Sequence, residues 1–124
     1  ETSGKKRILV VDDNGTALRT IKAMLEDTYE VAIAISGAQA MTSIGKKRPD
    51  LILLDYEMPV CDGRMTLEMI RADEDLTNIP VVFLTAINDR ANIEAVLQLK
   101  PAGDFLKPPV KERLLAELAK ILDA

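Results

Sequence analysis

The chain has 124 residues, 48% of them hydrophobic, and a net charge of -4, which allows one domain with a real core, leaves no room for two, and argues against disorder. The acidic balance also argues against nucleic acid as a direct ligand, since phosphate backbones are bound by basic faces. Histidine is absent and Cys61 is the single cysteine, so Ser/His/Asp triads, Cys/His dyads, histidine metal sites and an internal disulfide are excluded.

One cysteine fits a reducing compartment, and a cytoplasmic location is expected. The apolar stretches are strand-sized, far short of the ~20 residues of a membrane span, and no targeting segment is visible. The chain starts at Glu1 rather than Met, so a trimmed start or a piece of a longer chain is expected. Residues 1–6 are read as a disordered or cloning-derived segment ahead of a single domain over 7–124.

Apolar runs and helical patterns alternate along the whole length. Residues 7–12 read as a strand, followed by a helix over 15–27 with Leu18, Ile21, Met24 and Leu25 on one face. Residues 31–35 form a second strand, and Ser36 with Gln39 makes a capping box for a helix running to Lys46. Residues 51–55 are continuous Leu and Ile closed by Asp55, as expected of a strand covered on both faces. A helix over 64–72, a strand over 79–85 and a helix over 89–99 follow. A short strand over 103–107 and a helix over 110–122, striped by Leu114, Leu118, Ile121 and Leu122, complete the pattern.

Strict strand–helix alternation predicts an α/β fold: a flavodoxin-like, doubly wound, five-stranded parallel sheet with five helices on both faces. The common strand order for five such units is 2-1-3-4-5, with ligands bound outside the carboxyl ends of the strands. In that order strand 1 lies about 4.8 Å from strand 3, which sets Asp12 and Asp13 beside Asp55. Like charges 4 Å apart repel by about 4 kcal/mol at an effective dielectric near 20, so three carboxylates call for a cation. With only oxygen donors at hand, Mg²⁺ is favoured over Zn²⁺. Asp12-Asp13-Asn14-Gly15 could alternatively serve only to turn the chain and cap the first helix. Asp55 has no such use, because Met58-Pro59 and Asp62-Gly63 delay the next helix.

A carboxylate can attack phosphorus to give an acyl phosphate, and the transition state is then served by positioning and cations. Thr85, ending the fourth strand, can donate a hydroxyl hydrogen bond to a phosphoryl oxygen. Lys107, after the fifth strand, can supply a second cation.

On Asp12-Asp13, Asp55, Met58-Pro59, Asp62-Gly63, Thr85-Ala86 and Lys107-Pro108, the chain resembles the receiver domain of two-component response regulators over essentially its full length. The resemblance implies that Asp55 accepts a phosphoryl group from a phosphohistidine on a sensor histidine kinase or histidine phosphotransfer protein. Asp13, Asp55 and the backbone carbonyl of Glu57 would ligate Mg²⁺, with Asp12 acting mainly through water and Mn²⁺ as an acceptable substitute. Lys107 would contact the phosphoryl group, as would the backbone N–H of Ala86, and the Lys107–Pro108 bond would be cis. Thr85 would move toward the phosphoryl group and shift the face formed by the fourth helix, fifth strand and fifth helix. That face would signal to a downstream effector domain or protein, and phosphorylation-dependent homodimerisation fits the same family. The module would phosphorylate and dephosphorylate itself without being a turnover enzyme, with no direct nucleic-acid or membrane contact.

One position departs from the family. Asp104 stands three residues before Lys107, where Phe or Tyr is usual as the side chain that swings inward. Phe105 takes a core position instead, and an aspartate does not readily bury itself in the vacated pocket. Readout without an aromatic toggle is therefore expected. Ile87, close to the site, is expected to hinder attacking water, and Cys61 is read as an incidental small apolar residue.

Other classes fit less well. An interaction-only receiver has no use for the complete Asp, Thr and Lys set. A flavin or dinucleotide protein needs Ser, Thr or Gly donors where Asp12-Asp13 would repel phosphate. An aspartate-nucleophile phosphatase would carry its nucleophile on strand 1, and would need a cap domain that 124 residues cannot supply.

Overall fold

A computed structural model describes residues 5–56, 63–85, 101–106 and 109–123. In chain order the elements are β1 (Arg7–Val11), α1 (Gly15–Leu25), β2 (Glu30–Ala34), α2 (Gly37–Lys46), β3 (Leu51–Asp55), α3 (Gly63–Ala72), β4 (Val81–Thr85), β5 (Gly103–Leu106) and α4 (Lys111–Asp123). The strands form one sheet in the order β2-β1-β3-β4-β5, and every pairing is parallel. Fold class and strand order are thus as expected, with four helices among the described residues. The helix expected over 89–99 lies outside them.

The strand sequences explain who sits where. β3 and β4 are buried along their whole length, as continuous aliphatic runs must be when helices cover both faces. β2 and β5, at the sheet edges, are only partly buried. Alternation sorts the strand residues into two cores. Ile8, Val10, Leu51, Leu53, Val82 and Leu84 pack with Leu18, Ile21 and Leu25 of α1 and Leu114 and Leu118 of α4. Leu9, Val11, Ile52, Leu54, Val81 and Phe83 pack on the other face with Ala40 and Ile44 of α2 and Leu67 and Ile70 of α3. Met24, Ile121 and Leu122 from the expected stripes flank the first of these cores.

The ends of the elements have local causes. Ser36 Oγ accepts the Gln39 amide at 3.1 Å, while Gln39 Oε1 accepts the amide of Ile35 at 3.1 Å. This is the expected box with its return bond placed one residue upstream. α1 stops at Leu25 rather than Asp27, because the amides of Thr28 and Tyr29 both turn back to the Leu25 carbonyl, at 3.0 and 2.9 Å. β4 begins at Val81 rather than Ile79. The Ile79 amide is spent on Leu76 O at 3.0 Å, and Pro80 has no N–H to give. Arg71 steadies this loop by donating to the carbonyls of Thr77 and Ile79, at 3.1 and 3.0 Å.

Gly45 is an α2 residue whose added Cβ would meet nothing within 4 Å, so Gly45→Ala should stabilise the domain by about 0.5–1 kcal/mol. A higher urea midpoint at unchanged slope would show it. Glu30, at the start of β2, pairs with Lys47 Nζ at 3.0 Å and with Arg7. Its hydrogen bond from Lys47, then that from Arg7, lowers its pKa from the ordinary 4.5. A lowered folded-state pKa adds stability that is present above the unfolded value and lost as pH falls through the folded one. Glu30→Gln should therefore flatten the fall in stability below about pH 4.5, measured by denaturant melts across pH at low salt.

Candidate functional site

β1 and β3 are neighbours in register, with Val11 beside Leu54. The residues that leave β1 therefore meet the residue that closes β3. Asp12 keeps one foot in the sheet, its amide donating to Ala34 O of β2 at 3.1 Å, and its side chain is fully buried. Asp55 ends β3 at only 2% exposure, and the next amide, that of Tyr56, continues the ladder to Leu84 O at 3.0 Å. Asp13 is exposed. One carboxylate oxygen from each of Asp12, Asp13 and Asp55 lies within 4.8 Å of the others.

Asn14 divides the labour in this segment. It is the N-cap of α1, its side chain accepting the Ala17 amide at 3.0 Å, while its own amide donates to Asp12 Oδ1 at 2.9 Å. Capping is thus done by Asn14, and both preceding aspartates are left to form the cluster. The first turn of α1 carries no acidic residue, so the positive end of its dipole faces Asp12 and Asp13 without competition.

At these separations each pair of ionised carboxylates repels by several kcal/mol at an effective dielectric near 20. The donor set is all oxygen and two of its three members are buried. It fits a small hard cation such as Mg²⁺, which takes one or two carboxylates and completes its shell with water and phosphate oxygens. Thiolate- and imidazole-preferring metals find no matching donor in it.

Thr85 closes β4 directly after Leu84, the register partner of Asp55, and is fully buried. Its hydroxyl is directed at β5, donating to the Phe105 carbonyl at 3.3 Å. Asp104 sits in mid-β5 opposite Phe83, half-buried. Phe105 packs against the core shared by α1 and α4. Tyr56, next to Asp55, meets Phe83 edge-on, with ring centroids 5.4 Å apart and planes at 77°. Of the other expected site residues, Glu57, Ala86 and Lys107 lie outside the described residues, as do Ile87, Cys61 and Pro108. The Thr85–Phe105 bond had no signal in the sequence, because its acceptor is a main-chain carbonyl.

Residues 8–119 match the family model of the response regulator receiver domain. The chain belongs to that family.

Among proteins similar to this receiver domain, the sensor protein GacS of Pseudomonas syringae is 35% identical over 121 residues, which cover 94% of this chain and 13% of GacS. The response regulator PleD of Caulobacter vibrioides is 37% identical over 110 residues, covering 88% of this chain and 24% of PleD. The chain therefore spans a minor part of the length of both. A crystal structure of the receiver domain of a sensor histidine kinase from Pseudomonas aeruginosa superposes with a TM-score of 0.88 at 32% identity, covering 98% of this chain and all of that one. In that relative a magnesium ion is coordinated in the active-site cleft.

Asp13 is the exposed member of the cluster, so replacing it should disturb binding and not the fold. Asp13→Asn is expected to weaken Mg²⁺ binding at least about tenfold, or 1.4 kcal/mol, and to raise the unfolding stability of the metal-free domain, because it removes the repulsion of Asp13 by Asp12 and Asp55. The chain has no Trp and two Tyr. Tyrosine fluorescence in a Tyr29→Phe background would isolate Tyr56 as the reporter of the titration.

Proposed function

We propose that this domain, over residues 7–124, is a phosphoacceptor in a two-component system, with Asp55 as the acceptor. The observation that carries the reading is the nearly buried carboxylate of Asp55, grouped with those of Asp12 and Asp13 at the carboxyl ends of two central strands. Burying like charges together is costly, and a module that only offered a surface to partners would gain nothing from it. The phosphorylation-independent alternative is not favoured.

In the proposed reaction an Asp55 carboxylate oxygen attacks the phosphorus of a phosphohistidine on a separate kinase or phosphotransfer protein. The O–P bond forms as the P–N bond breaks, and the electron pair returns to the imidazole nitrogen, which takes up a proton. This chain has no histidine, so the donor must be another protein or domain. Asp13, Asp55 and the Glu57 carbonyl would hold Mg²⁺ directly, and Asp12 through water, with Mn²⁺ able to substitute. Bound there, the ion supplies positive charge against the cluster and the developing phosphoryl charge. Lys107 adds a second positive charge, and the Thr85 hydroxyl and Ala86 N–H donate to phosphoryl oxygens. β5, α4 and residues 89–99 would carry the change to an effector domain or protein, or to a second copy of the chain. The domain is a cytoplasmic switch and not a turnover enzyme, since each transfer fills the acceptor.

Incubation with Mg²⁺ and acetyl phosphate tests this. The intact protein should gain the mass of one phosphoryl group, mapped to Asp55, and Asp55→Asn should gain none. Chelating the metal should slow labelling about 100-fold or more, the range seen when one stabiliser of transition-state charge is lost. Labelling that survives in Asp55→Asn, or none in the parent, would overturn the assignment.

A further inference from the structure

Asp12 and Asp13 are neighbours in the chain but are held at the cluster by different means. Asp12 is fully buried, and its amide is bonded to Ala34 O of β2 at 3.1 Å. Asp13 is exposed, and among the described residues no hydrogen bond or ion pair fixes its carboxylate. Where that carboxylate points is therefore decided by the main chain on either side of it. On the far side stands Asn14, where three hydrogen bonds meet. Its side-chain oxygen accepts the Ala17 amide at 3.0 Å, and its carbonyl accepts the Leu18 amide at 3.0 Å. Its own amide donates to Asp12 Oδ1 at 2.9 Å, which ties residues 12 and 14 to each other across Asp13.

We infer that Asn14 is a positioning residue for the cation: its side-chain cap on α1 fixes the backbone at residue 14, and through it the carboxylates of Asp12 and Asp13. The inference rests on the reading of the cluster as a Mg²⁺ site and adds a residue whose own side chain takes no part in the coordination. Asn14 holds extended backbone, at φ -96° and ψ 111°, immediately ahead of the first helical turn. Without a capping oxygen the Ala17 amide loses its partner, and that turn opens more often. Each opening frees the residue 14 amide from Asp12 Oδ1 and lets Asp13 swing away from Asp55. Only the closed form presents three carboxylate oxygens within 4.8 Å of one another, so apparent affinity falls with the closed fraction. The coupling is reciprocal, because a cation that binds the closed form must also hold the cap shut. Mg²⁺ at the cluster and the first turn of α1 therefore order each other.

The experiment follows Mg²⁺ titrations in amide spectra of the parent and three variants. Asn14→Ala removes the cap, and Asn14→Ser keeps a capping oxygen. Ile21→Val loosens the same helix from its core side and leaves its first turn alone. Asn14→Ala should weaken binding about threefold or more, while Asn14→Ser and Ile21→Val stay within about twofold of the parent. Hydrogen exchange in the parent needs no variant: saturating Mg²⁺ should slow the Ala17 amide by a factor comparable to the loss in Asn14→Ala. If Asn14→Ala binds Mg²⁺ like the parent, or Ala17 exchange ignores the ion, the positioning role is wrong and the cation reading stands. If Asn14→Ser is as weak as Asn14→Ala, the capping oxygen is not the cause, and if Ile21→Val is as weak, general loosening is; either result overturns the inference. If the parent binds no Mg²⁺, the cation reading itself fails and the inference falls with it.

Discussion

The mutual repulsion of three carboxylates is the constraint around which this domain is organised. Asp12, Asp13 and Asp55 converge because β1 and β3 are bonded side by side, and that pairing is enforced by residues that gain nothing from the charges. Ile8 to Val11, Leu51 to Leu54 and Val81 to Leu84 are all essentially removed from water. Fully burying one such side chain contributes about 1.5–3 kcal/mol. The fold can therefore hold together charges that would otherwise separate, and the cluster becomes a standing demand for a cation. Function comes from a local conflict that the hydrophobic core is strong enough to impose.

How the conflict is contained is visible in the residues around it. Asn14 takes over the cap of α1, which leaves the aspartates before it to the cluster. The first turn of α1 adds no further acid, and its peptide dipoles point their positive end toward the site. Asp12 is tied into the sheet through its own amide and anchored by the amide of Asn14. Its orientation is thus set before any ligand arrives, which lowers the ordering cost of binding.

The apolar runs made the sheet legible, because strand alternation and burial follow directly from Leu51-Ile52-Leu53-Leu54 and its neighbours. The convergence of Asp12, Asp13 and Asp55 was legible for the same reason, since strand order converts sequence positions into spatial neighbours. What could not be read was anything depending on the main chain. The start of β4 slipped to Val81 because of where the Ile79 amide bonds and because Pro80 lacks one. The early end of α1 reflects two amides sharing one carbonyl at Leu25. The Thr85 hydroxyl has a partner, Phe105 O, that no residue letter reveals. Side-chain chemistry is written in the sequence, whereas backbone acceptors become visible only in the folded chain.

The sheet is buried at its centre and partly exposed at both edges, and the aspartate cluster sits at the centre. β3 and β4 are buried throughout, while β5 is short and partly exposed. A change in charge at Asp55 cannot displace the central strands without opening both cores at once, and packed interiors transmit strain poorly tolerated by their neighbours. The cheapest response is therefore at the edge, where β5 is held by its ladder to β4 and by the Thr85 hydroxyl. Asp104 lies on that strand beside Phe83, and carrying its carboxylate into the apolar core would cost several kcal/mol. The central strands, buried throughout, hold the aspartate cluster in place whatever the edges do.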